Sequence, residues 1–148
     1  MKLLSPGRLG SAAGLVLLAS PAFADQACID SWAKDIQPIV NRCVACHQNA
    51  APAGKLSLQK GTAPMNLIWV KADEADLPYV TPGDPTKSYI WHKLMGTQKD
   101  VGGIGAKMPL GGQLGQTEID TIAAWITSCN EPAPDTAISA EASSQPAQ

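Results

Sequence analysis

Apolar side chains recur at Ile29, Trp32, Ala33, Ile36, Ile39, Val40 and Cys43, a helical spacing that predicts an amphipathic segment leading into Cys43. Asp30 or Ser31 is its expected cap, and Pro38, which has no amide hydrogen, is expected to kink or split it. A second helix is predicted from Thr86 or Lys87 to Met95, closed by Gly96. Ser88, Trp91 and Met95 mark one side of it and Tyr89, His92 and Lys93 the other. In "EIDTIAAWITSC", Ile119, Ile122, Ala123 and Ile126 make a third stripe that Trp125 and Cys129 extend, with Thr117 as cap. A further short helix fits "NLIWVKADEADLPYV", ahead of a turn at Pro82-Gly83-Asp84-Pro85. "QNAAPAGKLSLQKGTAPMN" is rich in breakers and reads as loop. "VGGIGAKMPLGGQLG" holds five glycines before Gly115, so irregular backbone that approaches something closely is expected. No strand run of convincing length is present, and the expected class is all-α, with about three to five helices.

The ends confine this pattern. Lys2 and Arg8, the apolar residues 9–19 and Ala22-Phe23-Ala24 have the form of an export signal, cleaved to leave a chain from Asp25. The apolar run is shorter than the roughly 20 residues a spanning helix needs, so no transmembrane segment is expected after cleavage. Residues 131–148, rich in Pro, Ala and Ser and without Lys or Arg, read as a solvated acidic tail. Folding is expected within 25–130, one domain in an oxidising compartment, most simply the periplasm.

Without Lys2 and Arg8 the chain keeps 9 of its 11 Lys and Arg against 13 Asp and Glu, a formal charge of −4 that argues against nucleic acid. Residues 47–115 carry seven lysines against five acids, either a solvated surface or a means of steering an acidic partner. With the single Phe, Phe23, in the export signal, residues 25–130 keep only two Tyr beside their Trp for the core of so small a domain, so a bound group is expected to add apolar bulk.

That expectation meets "NRCVACHQ". Cys43-x-x-Cys46-His47 is the spacing of c-type haem attachment, in which two thiols join the porphyrin and the adjacent imidazole binds iron. Zinc would need further ligands, and only His92, Cys28 and Cys129 remain to provide them. A thiol redox pair of thioredoxin type would need a βαβ context that is missing. Export and the two leftover thiols make Cys28 to Cys129 the sole intramolecular disulfide. For the distal side of the iron Met65, Met95, Met108 and His92 compete. Met108 is favoured, because Pro109 stiffens "AKMPLGG" and its glycines let the loop lie close to a flat ring.

"IQPIVNRCVACH", "PGDPTKSYIWHKL", "KMPLGG" and "EIDTIAAWI" together resemble a class I c-type cytochrome, and more closely the small planctomycete-type cytochrome c domains. The resemblance covers about residues 32–128. It implies a small class I fold packed around one covalently attached haem c, with thioethers at Cys43 and Cys46, His47 as proximal ligand and Met108 as distal ligand. It also implies a proline carbonyl accepting the proton of His47, for which Pro52 is the candidate. Trp32 and Trp125 are then core residues of packed helices, and Trp91 a haem contact. Cys28 and Cys129 are outside the general pattern of the family.

The function so implied is single-electron transfer between redox protein partners, as a monomer or as a subunit of a redox complex, without catalytic residues. Two alternatives differ in class. One is a haem-based sensor or peroxidase-like protein in which Met108 is labile or does not bind. The other is an assembly or metal-handling module that uses the thiols without haem.

Overall fold

The computed structural model describes residues 26–129. The expected export signal (1–24) and expected tail (131–148) lie outside the described residues. Four α-helices are formed: α1 (Gln26–Ser31), α2 (Gln37–Val40), α3 (Tyr89–Met95) and α4 (Gln116–Ser128). Among the described residues there are no strands, only isolated β-bridges, in keeping with the all-α expectation.

The helix predicted before Cys43 is split, as Pro38 requires. α1 runs into a π-helical turn, Trp32–Ile36, and then into α2, which has Pro38 in its first turn. Proline can donate nothing to the carbonyl of Lys34, and its ring crowds the preceding turn. The backbone answers by widening, so that the Gln37 N–H reaches the carbonyl of Trp32, five residues back. The expected caps are displaced. Asp30 and Ser31 lie inside helix, where Asp30 accepts from the Gln26 amide at 2.8 Å and the Ser31 hydroxyl donates to the Cys28 carbonyl at 3.1 Å.

The N-cap of α4 lies two residues before the expected one. Gly115, not Thr117, is the N-cap, because the Glu118 carboxylate reaches back to accept the Gly115 N–H at 2.9 Å. Ile122, Trp125 and Ile126 are its buried side, and they pack on Trp32 and Ile36. The rings of Trp32 and Trp125 meet edge to face, centroids 4.9 Å apart. Beside them the Trp125 indole donates to the Cys28 carbonyl at 3.0 Å, and Cys28 and Cys129 form the expected disulfide with Cα atoms 5.1 Å apart.

Between these helices, "NLIWVKADEADLPYV" is not helical. It turns back on itself through bridges Ile68 to Val80 and Lys71 to Pro78, with Tyr79 N–H bonded to Val70 and Val80 N–H to Leu67. Its apolar residues include the β-branched Ile68, Val70 and Val80, which suit this extended pairing better than a helix, and Leu67 and Val80 are buried. The turn before α3 is secured by Asp84, whose carboxylate accepts from Thr86 N–H at 2.9 Å, and by the buried Ser88 hydroxyl, which bonds Thr81 N–H at 2.9 Å. Gly96 ends α3 in the left-handed region (φ 81°), as the sequence pattern predicts.

Candidate functional site

An apolar cleft of about 330 Å3 opens between the terminal helices and α3. Trp32, Ile36, Ile122 and Trp125 line its inner side, Cys43, Cys46 and His47 a second side, and Met108 and Pro109 a third segment. The structure thus brings together all four residues expected to hold a haem.

Local backbone accounts for the first group. After α2 the chain tightens into a 3-10 turn, Asn41–Cys43, and the amides of Cys46 and His47 both bond back to the Cys43 carbonyl, at 3.2 and 3.0 Å. This single turn gathers both thiols and the imidazole. Neither Cys43 nor Cys46 is in a disulfide. Burial pushes the Cys43 thiol above its ordinary pKa, opposed by the nearby Arg42 guanidinium, so it stays protonated at neutral pH.

The carbonyl facing His47 belongs to Leu56, not to Pro52. Nδ1 lies 3.2 Å from it, and since a carbonyl only accepts, Nδ1 carries the proton and Nε2 the lone pair. The Pro52 carbonyl is engaged elsewhere, accepting Lys55 N–H at 3.1 Å within a short turn, Ala53–Lys55. That turn reverses the chain, and Leu56 is the first residue beyond it to come back under the ring. The Leu58 N–H, bonded to the His47 carbonyl at 2.8 Å, keeps the two segments in register.

α3 presents Tyr89, Ile90, Lys93 and Leu94 to the cleft, a face of helical period. Trp91 is not among the residues lining the cleft. It lies about 200° around the helix from Tyr89, so it packs against the core from outside and is not a contact of this site. His92 is turned away too, with both ring nitrogens occupied: Nε2 donates to the Thr86 carbonyl and Nδ1 faces the Thr97 hydroxyl, each at 2.8 Å. Met65 and Met95 are exposed and outside the lining. Among the described methionines Met108 alone lines the cleft, with its N–H bonded to the Lys93 carbonyl at 2.8 Å and a cis bond to Pro109.

Three polar side chains at the rim were not legible as site residues. The Tyr79 hydroxyl donates to the Gly54 carbonyl at 2.7 Å, Glu74 accepts from Lys93 at 3.0 Å, and the Tyr89 hydroxyl lies 3.3 Å from the same carboxylate. Burial, and then the charge of Glu74, raise the pKa of Tyr89, so it stays a neutral donor. Only the four-residue spacing of Tyr89 and Lys93 signalled a shared face. Gly103 belongs to this arrangement: a Cβ there would stand 2.5 Å from the Tyr89 hydroxyl.

The donor set suits a covalently attached haem. Two unpaired thiols and an imidazole with a free Nε2 border an apolar cleft, and a thioether stands in the same lining. The described residues hold no cluster of three or more His, Cys, Asp or Glu able to take a metal ion, which leaves the zinc alternative without support.

Residues 43–101 match a family model described as planctomycete cytochrome C. The match begins at the first thiol and ends seven residues before Met108. No curated protein and no solved structure gives a significant match to the chain.

Proposed function

We propose that the protein, whose residues 43–101 match the planctomycete cytochrome C family model, is an exported mono-haem electron carrier whose iron is held by His47 and Met108. The single observation that carries this reading is the convergence of Cys43, Cys46, His47 and Met108 on one apolar cleft, although Met108 lies 61 residues from His47 in sequence. Haem c bound there supplies a one-electron redox centre. Cys43 and Cys46 would tether it. Leu56, by accepting the Nδ1 proton, fixes the tautomer of His47 and leaves Nε2 as the ligand atom. The apolar lining would keep water away from the haem and favour its less charged form, and the Met108 thioether as ligand would raise the potential. Ligation by both His47 and Met108 would leave no open position on the iron for oxygen or peroxide. The export signal supports action in the periplasm between soluble or complex-bound redox proteins. No described helix is long and apolar enough to cross a membrane.

The test is the absorption spectrum of protein purified from cells able to attach haem. Alkaline pyridine should give c-type haemochrome bands equivalent to one haem per chain, absent in Cys43→Ala/Cys46→Ala. The oxidised protein should show the weak far-red methionine-to-iron band, lost in Met108→Ala. A wild-type spectrum without that band would remove Met108 as ligand and favour the sensor or peroxidase-like alternative.

A further inference from the structure

The segment that carries Met108 has no helix or strand between residues 102 and 115. Ile104 and Leu110 are 63 % and 69 % exposed, and only Leu114, at its far end, packs half-buried against the core, so burial does not anchor the stretch before Met108. Hydrogen bonds to α3 and to the turn after it do. Gly103 N–H donates to the Gln98 carbonyl at 2.8 Å and the Gln98 amide to the Gly105 carbonyl at 3.0 Å. Lys93 holds the segment twice: its ammonium donates to the Ile104 carbonyl at 3.1 Å, and its own carbonyl accepts from Met108 N–H at 2.8 Å.

The Lys93 side chain is only 12 % exposed, and a cation so placed needs a counter-charge. Glu74 provides it at 3.0 Å, from the turn between Ile68 and Val80. The Tyr89 hydroxyl closes the group, 3.3 Å from both the Glu74 carboxylate and the Ile104 carbonyl, with the ammonium 5.9 Å from its ring centroid. Three separate stretches of chain thus meet at one ion pair beside Ile104, four residues before Met108.

We propose that Glu74, Lys93 and Tyr89 form a latch that positions the Met108 segment over the cleft and sets how easily an outside ligand takes the place of Met108. The displacement half of this rests on the reading of Met108 as distal ligand; the positioning half does not. These are positioning residues, since they act through the Ile104 carbonyl and the backbone of Met108. An outside ligand reaches the iron only from the open arrangement, so its apparent affinity follows the open fraction. Removing a hydrogen bond to a charged group, and leaving its partner unpaired, should raise that fraction about tenfold.

The experiment uses the full holoprotein in the oxidised state. Imidazole is titrated while the far-red band is followed, and amide exchange at Met108 is measured separately. Glu74→Ala and Lys93→Leu should each bind imidazole about tenfold more tightly than wild type and exchange the Met108 amide about tenfold faster. Lys93→Arg, which restores the cation, should stay near wild type. Asp84→Ala, which weakens a distant turn, should lower overall stability and move neither readout. Tyr89→Phe, which keeps the ion pair and the packing, should give a smaller change in the same direction. Unchanged exchange and unchanged imidazole affinity in Glu74→Ala and Lys93→Leu would overturn the latch. A wild-type protein that lacks the far-red band while the variants still exchange faster would refute Met108 as ligand and uphold the positioning role.

Discussion

Asp84 shows how much one side chain can do before any cofactor is considered. Its carboxylate caps the 3-10 turn Pro85–Lys87, accepting from the Thr86 amide at 2.9 Å and the Thr86 hydroxyl at 2.6 Å, with Lys87 3.3 Å away. The Thr86 hydroxyl bond is the main cause that holds its pKa below the ordinary carboxylate value. Its contribution to stability is therefore full above that ordinary value and is lost as pH falls through the lower folded value. Asp84→Ala should cost about 1 kcal/mol at neutral pH and should have a flatter acid limb than wild type, read by thermal unfolding between neutral and strongly acidic pH. Parallel acid limbs would show that the carboxylate is not held by the turn. This turn was legible in "PGDPTK", because Asp before Pro and Thr is local chemistry. The carbonyl that faces His47 was not, since Leu56 and Pro52 differ only in which of them a turn brings back under the ring.

The element that most depends on long-range closure is the pair of terminal helices. A disulfide whose cysteines are 101 residues apart joins them, alongside the Trp32 and Trp125 rings and the bond from Trp125 to the Cys28 carbonyl. Closing a loop of that length stabilises by roughly 4 to 5 kcal/mol in the chain-entropy model. Cys28→Ala/Cys129→Ala is expected to lose most of that amount in denaturant unfolding while keeping the haem spectrum, because neither residue lines the cleft. A loss of less than about 1 kcal/mol would mean that the unfolded chain is already restrained, as attached haem could do. The same element shows a limit of pattern reading. Pro38 announced a break, yet whether the backbone kinks or widens into a π turn depends on how Trp32 and Ile36 must both reach the core.

For the whole molecule, the cleft is the central fact. Its apolar walls come from the first and last described helical segments and from α3, and they stand open between them. The Cys43→Ser/Cys46→Ser chain, kept free of haem, is therefore expected to bind a hydrophobic dye and to melt at lower temperature than the holoprotein; equal melting points would show that the fold does not need the group. Surface charge also looks different in three dimensions. Of the seven lysines in residues 47–115, Lys55, Lys71, Lys87 and Lys93 are paired with Asp73, Asp76, Asp84 and Glu74, so the local excess of positive charge rests on Lys60, Lys99 and Lys107 against Asp100.

The sequence by itself determined the motif of two thiols and an imidazole and the helices that frame it. Cys43, Cys46 and His47 fall within one turn, and helical stripes and breakers are encoded over neighbouring residues. The tertiary structure decided what depends on distant segments meeting. It placed Met108 in the same lining as His47, chose Leu56 over Pro52, turned Trp91 outward, and drew Glu74, Lys93 and Tyr89 together at the rim. The physical reason is range: hydrogen-bond and periodicity signals decay within a turn or two, whereas the partner of a buried polar group is chosen by the packing of the entire chain.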